Sequence, residues 1–318
     1  MPAVRLFVPD QEQPKDGATV QIVVGQYLAH LENRVSVDAF SRDNFLNTQR
    51  DLLRFSREFA GSAMDCRQAD FEKWIVSNPR WKSGHTRKRV VAEVLACFAW
   101  AADPDQGSLI PHCPLRSIKS VTAAPYQPRR AATLNEYLAL LGAGSIQLQQ
   151  GLAFIYSTGC RPCEMRELIW PWVLLDAESP HLCLAKHKTF RKTGKPKLIG
   201  LDDETIALLR SLQADRPADN YQNVFRNCHG QPWTRRGFSL NVRRAALRAG
   251  LDAGVEKLVS AGCLRSTYAC DLIESGFTNR EVADMLGHSS SWMVDHVYGA
   301  ATRQRAAHLG NVAKRAAS

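Results

Sequence analysis

Apolar positions recur at helical spacing through the first third of the chain. Val23, Val24, Tyr27, Leu28 and Leu31 share one face at a period of about 3.6 residues, and Phe45, Leu52, Leu53 and Phe55 to Phe59 continue the pattern in a second segment. A third segment, Phe71 to Val76, is closed by Asn78-Pro79. A fourth, Thr86 to Trp100, sets Val90, Val91, Val94, Leu95 and Phe98 on a single stripe and ends at Asp103-Pro104. The spacing predicts a helical domain over 19–119, preceded by a flexible tail at 1–18. Residues 120–132 (SVTAAPYQPRRAA) lose the apolar period and gather prolines and arginines, the composition of an interdomain linker.

A second domain, 133–318, opens on Thr133-x-x-Glu136, a capping box in which hydroxyl and carboxylate satisfy backbone donors that the helix leaves orphaned. Helices are predicted over Ile146 to Tyr156, stopped by Ser157-Thr158-Gly159, and over Pro162 to Leu168, where proline suits the first helical position. Between Trp170 and Leu201 the helical period fails. His181 to Ala185 and Lys197 to Leu201 read as two short strands of a hairpin, with Thr193-Gly194-Lys195 near its turn. Helices return at Asp203 to Leu212, Thr234 to Ala249, Leu264 to Ser275, Thr278 to Leu286 and Ser290 to Val297. The Ala-rich, basic residues up to Ser318 suit one more. The fold class expected is mainly α with a small β-hairpin.

Composition narrows the partners. Of 318 residues, 45% are apolar, enough for two hydrophobic cores. No apolar run reaches the roughly 20 residues of a membrane span, and Met1 to Gly17 has no signal-peptide pattern, so a cytoplasmic location is expected. A net charge of +10 favours a polyanion. Nine scattered cysteines, an odd number, suggest reduced thiols. Cys160-Arg161-Pro162-Cys163 has C-x-x-C spacing, but Cys228-His229 does not supply the matching pair of a zinc site, and helical flanks do not suit a redox motif. Arg87, Lys88 and Arg89 put cations at the start of a helix, where the dipole prefers acids. Phosphate contact would offset that placement; a solvated helix end is the alternative.

Arg161 and Arg265 each fall at an expected helix start, where backbone N–H groups already favour an anion. Two guanidiniums on one phosphate would offer bidentate donors. The sequence around them resembles the tyrosine recombinases, or phage-type integrases. Thr158-Gly159-Cys160-Arg161-Pro162-Cys163-Glu164-Met165-Arg166-Glu167-Leu168 is similar to that family's first arginine box, T-G-x-R-x-x-E-x-x-x-L. Leu264-Arg265-Ser266-Thr267-Tyr268-Ala269, with Leu272 and Gly276, resembles its second. Leu286-Gly287-His288 resembles the L-G-H box, Tyr298 follows at the distance of the nucleophile, and His187-Lys188-Thr189 with Lys197 to Leu201 resembles the lysine hairpin. Residues from Thr86 to Ile118 are similar to the last helices of the family's core-binding domain.

The resemblance implies a helical core-binding domain followed by an α+β tyrosine-recombinase catalytic domain, acting on double-stranded DNA as a homotetramer. It implies no metal, ATP, membrane or small-molecule substrate. Tyr298 would attack a phosphorus to give a 3′-phosphotyrosine and a free 5′-hydroxyl. Arg161 and Arg265 would bind the non-bridging oxygens. Lys188, with Lys192 as second choice and DNA contact, would protonate the leaving oxygen. His288 would bond phosphate or tyrosine, and Glu164 would have a structural role, orienting Arg161 or the local helix. One departure stands out: where the family keeps a proton-transferring His, three residues before the arginine, this chain has Gly262. An enzyme slowed by that loss is expected, and His288, His296, His229 or water are the substitutes. The alternatives are a DNA-binding regulator, since Phe277 to Tyr298 also reads as helix-turn-helix, and a decayed recombinase that only binds DNA.

Overall fold

The computed structural model describes residues 18–119, 121, 130–185, 190, 194–251, 259–288 and 290–297. The expected tail up to residue 17, most of the expected linker and the expected C-terminal helix lie outside the described residues. The chain divides into two compact units, Met1–Pro125 and Tyr126–Ser318.

Among the described residues the first unit holds four α-helices: α1 (Val20–Ser36), α2 (Arg42–Glu58), α3 (Gln68–Ser77) and α4 (Gly84–Ala102). Thr19 caps α1, its hydroxyl accepting from the Ile22 N–H. The stripes expected from the sequence form the core. Val23, Val24, Leu28 and Leu31 of α1 are buried with Phe45, Leu52 and Phe55 of α2 and Val90, Val94 and Phe98 of α4. Phe55 meets Phe71, Trp74 and Phe98 edge-on, with ring centroids 5.4 to 5.9 Å apart. That arrangement sets the positive edge of one ring against the negative face of the next.

One charged residue sits within this apolar unit. The Asp51 side chain is 1% exposed and takes guanidinium donors from Arg50 at 3.1 Å, Arg54 at 3.3 Å and, from α4, Arg89 at 2.6 Å. Arg89 also pairs with Glu93 at 2.5 Å. Burial raises the Asp51 pKa, but the hydrogen bonds and charges of Arg50 and Arg89 outweigh it and hold the carboxyl below its usual range.

In the second unit, α5 (Leu134–Gly142) starts with the expected capping box, Thr133 and Glu136 each bonding the other's backbone N–H. The helix α6 (Ile146–Thr158) runs through the core and packs against α5, against α7 (Pro162–Glu167) and against the first three helices that follow the sheet. Strands β1 (Val173–Leu174), β2 (His181–Leu184) and β3 (Lys197–Gly200) form one antiparallel sheet in that order. The pair β2–β3 was expected; β1 was not, because two residues carry no legible period. Then come α8 (Asp203–Ala214), α9 (Arg235–Arg248), α10 (Ala261–Glu274), α11 (Asn279–Leu286) and α12 (Trp292–Val297).

One expectation needs correction. Helix α10 starts at Ala261, not Leu264, so Arg265 lies in its second turn rather than at a bare N-terminus. Helix α11 buries Val282, Ala283 and Leu286 and leaves Met285 38% exposed.

Asp51→Asn is expected to lower stability by about 3 kcal/mol, the low end for breaking a buried ion pair, because the partner arginines reach solvent. The urea midpoint of the full chain reads this. The depressed native pKa makes the pairing fully effective above the unfolded carboxyl value of about 4 and lost below it. The gap between variant and wild type should therefore close as the pH falls through that range.

Candidate active site

Helix ends carry Arg161 and His288 and supply the carbonyls that receive Arg265 from the second turn of α10. Helix α6 closes on Gly159, which caps it in the left-handed region at φ 59°, and α11 closes on Gly287 at φ 69°. Carbonyls at a helix C-terminus have no partner within the helix and carry the negative end of its dipole. Here three of them accept from arginines. Arg265 Nη1 donates to the Gly159 carbonyl at 2.6 Å and Nη2 to the Leu286 carbonyl at 2.8 Å. Arg161 Nη2 donates to the next carbonyl, Gly287, at 3.3 Å. Arg265 is 3% exposed, a burial that a guanidinium tolerates only with such acceptors.

Glycine is required at both caps for two reasons. The positive φ disfavours any side chain, and the space is taken. A Cβ at Gly159 would lie 2.2 Å from Cδ1 of Tyr268, and one at Gly287 would lie 2.9 Å from Cδ of Lys197.

Arg161 is the N-cap of α7 and is fixed from its other side by Glu164. The Glu164 carboxylate accepts from the Arg161 backbone N–H at 2.9 Å and from Nη1 at 2.6 Å, the orienting role expected of it. It also pairs with Lys197 Nζ at 3.0 Å, where both side chains are almost wholly buried. Burial would raise the Glu164 pKa, but Lys197, then Arg161, overcome it and hold the carboxyl down at about 2. Burial pulls Lys197 below the usual lysine range, with Glu164 opposing.

His288 stands half-buried beside Arg265, its Nε2 3.0 Å from Nη2. A guanidinium can only donate, so Nε2 accepts, and the ring is the neutral tautomer with its proton on Nδ1. Gly262 lies in the first turn of α10, one turn before Arg265. Among the described residues, a Cβ there would meet only Ser260 Oγ, at 3.6 Å.

The structure therefore brings Arg161, Arg265 and His288 together. Tyr298, Lys188 and Lys192 lie outside the described residues. Of the cations at the start of α4, Arg89 is held by Asp51 and Glu93, Arg87 is half-buried and Lys88 is exposed. Cys160 is buried, and burial pushes its thiol up to about 12, with Glu164 adding to the shift; burial also raises Cys163. Thiols so reluctant to ionise are poor nucleophiles and poor metal ligands. Sequence reasoning saw Lys197 only as a hairpin residue. Its signal was the alternation of β3, which turns Lys197 and Ile199 to the same buried face.

Two guanidiniums and an imidazole on one wall of a helical domain make a cationic site of the kind that takes a phosphoryl oxygen. The sequence profile of the phage integrase family matches residues 129–305, more than half of the chain, and the chain belongs to that family. The tyrosine recombinase XerD of Staphylococcus epidermidis is 29% identical over 167 residues, 49% of this chain and 53% of that protein. The chain thus spans about half the length of that relative. XerD of Listeria monocytogenes is 28% identical over 220 residues, 65% of this chain and 69% of its own. The Tn1549 transposon integrase, solved in complex with transposon right end DNA, matches with a TM-score of 0.67 at 17% identity over 92% of this chain and all of that one. That likeness is one of fold.

The segment that also reads as helix-turn-helix does form two helices, α11 and α12. Its turn, however, supplies the Leu286 and Gly287 carbonyls and His288 to the arginines.

The caps can be tested directly. Gly250 has φ 67° and, among the described residues, nothing near its Cβ position, so Gly250→Ala should cost about 1 kcal/mol of left-handed strain alone. Gly159→Ala should lower the melting temperature markedly further, because Tyr268 must move as well. Equal losses at both positions would refute the packing account of this cap.

Proposed function

We propose that this chain is a site-specific DNA recombinase or integrase that cleaves and rejoins strands through Tyr298. The observation that carries the proposal is the convergence of Arg161 and Arg265 on the consecutive carbonyls of Leu286 and Gly287, with His288 bonded to Arg265. Two arginines so fixed suit the two non-bridging oxygens of one phosphodiester, whose charge grows in the pentacoordinate transition state. Family membership and the order of the sequence boxes support the assignment.

In the proposed reaction the Tyr298 oxygen attacks phosphorus and its proton is lost to water or a nearby base. The bond from phosphorus to the 5′-oxygen breaks, and that oxygen takes a proton from Lys188, or from Lys192. The product is a 3′-phosphotyrosine, which the 5′-hydroxyl of a second strand attacks in reverse. No net bond energy is lost, so the mechanism calls for neither ATP nor a metal. The partner is double-stranded DNA, with a homotetramer assembling on two duplexes. In the same reading 19–119 is the core-binding domain, Lys88 and Arg87 contact phosphates, and Arg89 acts chiefly through Asp51.

The test starts from duplexes that the full chain selects out of a random-sequence pool, each nicked so that cleavage is trapped. Wild type is expected to form a covalent adduct that Tyr298→Phe abolishes, and Arg265→Ala should slow its formation by about 10²-fold or more. Tight binding without any adduct would favour a decayed recombinase or a regulator instead.

Gly262 limits the rate in this reading, because no side chain there takes the phenolic proton. Gly262→His meets open space among the described residues and should speed adduct formation, up to about 10²-fold. An unchanged rate would sink this account of the missing histidine.

A further inference from the structure

Glu164 poses an electrostatic problem for the site. It fixes Arg161 by two hydrogen bonds, and an arginine paired one-to-one with a carboxylate has little net charge left to attract a phosphate. The structure holds a second cation on that carboxylate. Lys197, on β3, is 4% exposed and its Nζ lies 3.0 Å from Glu164 Oε2. Its aliphatic stem packs against Gly287, whose carbonyl is the other partner of Arg161. One carboxylate between two cations leaves the trio of Arg161, Glu164 and Lys197 one net positive charge.

The sheet does not need an ammonium there. The neighbouring inward position of β3 is Ile199, and an apolar side chain would avoid the cost of burying a charge. The charge is explained by what it faces.

We propose that Lys197 is a positioning residue for DNA cleavage: it offsets the Glu164 carboxylate, so that Arg161 is rigidly oriented and still presents positive charge to the scissile phosphate. This rests on the strand-cleavage reading above. The groups facing Glu164 are Arg161, Cys160 and Cys163 from its own segment and Lys197 from β3, while Arg265 of α10 faces Lys197. With Lys197 present, Glu164 is ionised throughout the pH range of the reaction. Without it, protonation of Glu164 becomes the remaining way to free the charge of Arg161.

The test uses the full chain and the same nicked duplexes, with single-turnover adduct formation as the readout. Lys197→Met keeps the length of the side chain and removes the charge. It should slow cleavage at neutral pH by about tenfold or more, with duplex affinity changed far less. The ratio of its rate to that of wild type should rise as the pH is lowered, since acid neutralises Glu164. Adding Glu164→Gln should restore much of the lost rate and abolish that pH slope. A residue that merely filled space would give neither the slope nor the rescue.

If Lys197→Met fails to fold, the comparison of Glu164→Gln with the double variant carries the test. Once Glu164 is neutral, removing Lys197 should change the rate by no more than about threefold. A double variant as slow as Lys197→Met, or slower than Glu164→Gln by tenfold, overturns the proposal. So does an adduct rate in Lys197→Met equal to that of wild type. Absence of an adduct from the wild type overturns the strand-cleavage reading and this inference with it.

Discussion

The donation of two arginines to the C-terminal carbonyls of two helices is the interaction on which the site depends. A buried guanidinium needs acceptors, and a helix end needs donors. Arg265 joins the end of α6 to the end of α11 through Gly159 and Leu286, and Arg161 adds Gly287. The same bonds that orient the cations therefore tie together helices more than a hundred residues apart in sequence. Gly159 and Gly287 are the condition for it, because only a left-handed residue without a Cβ ends each helix in the space that Tyr268 and Lys197 leave.

Charge in this wall is balanced by short, buried contacts and not by solvent. Glu164 takes both Arg161 and Lys197, and its carboxyl is held down at about 2 despite burial that acts in the opposite direction. The N-terminal unit repeats the device at Asp51, where three arginines surround one buried carboxylate. The two differ in their surroundings. The Asp51 cluster has partners that reach water and serves to join α2 to α4, whereas in the Glu164 cluster Lys197 is nearly shut off from water and Arg161 is only 18% exposed.

Much of this was legible in the sequence, and the limits have physical causes. Long amphipathic helices announce themselves by period, so α1 to α4 and their core residues could be read directly. The residues singled out by the arginine boxes, Arg161, Arg265 and His288, meet at one place in the structure, and each motif carries its own turn chemistry in Gly159, Pro162 and Gly287. The start of α10 was misplaced because Ser260, Ala261 and Gly262 offer no apolar signal before Leu264. Strand β1 is too short to show alternation. Partnerships across long separations were invisible. Nothing local to Arg89 reveals Asp51, 38 residues earlier, and nothing local to Lys197 reveals Glu164, 33 residues earlier.

The geometry also bears on the missing histidine. Position 262 lies one turn before Arg265 on the same helix, and residues three apart share a face. A side chain there would stand next to the arginine without being needed to hold it, since Arg265 is anchored through Gly159 and Leu286. Under the strand-cleavage reading, glycine at 262 removes a proton carrier and leaves both arginines anchored. His288 is poorly placed to take over. Its Nε2 already accepts from Arg265, and using that nitrogen as a base would require giving up the bond. Under the strand-cleavage reading, the departure at Gly262 slows loss of the tyrosine proton and spares recognition of the phosphate, so binding and chemistry separate at a single residue.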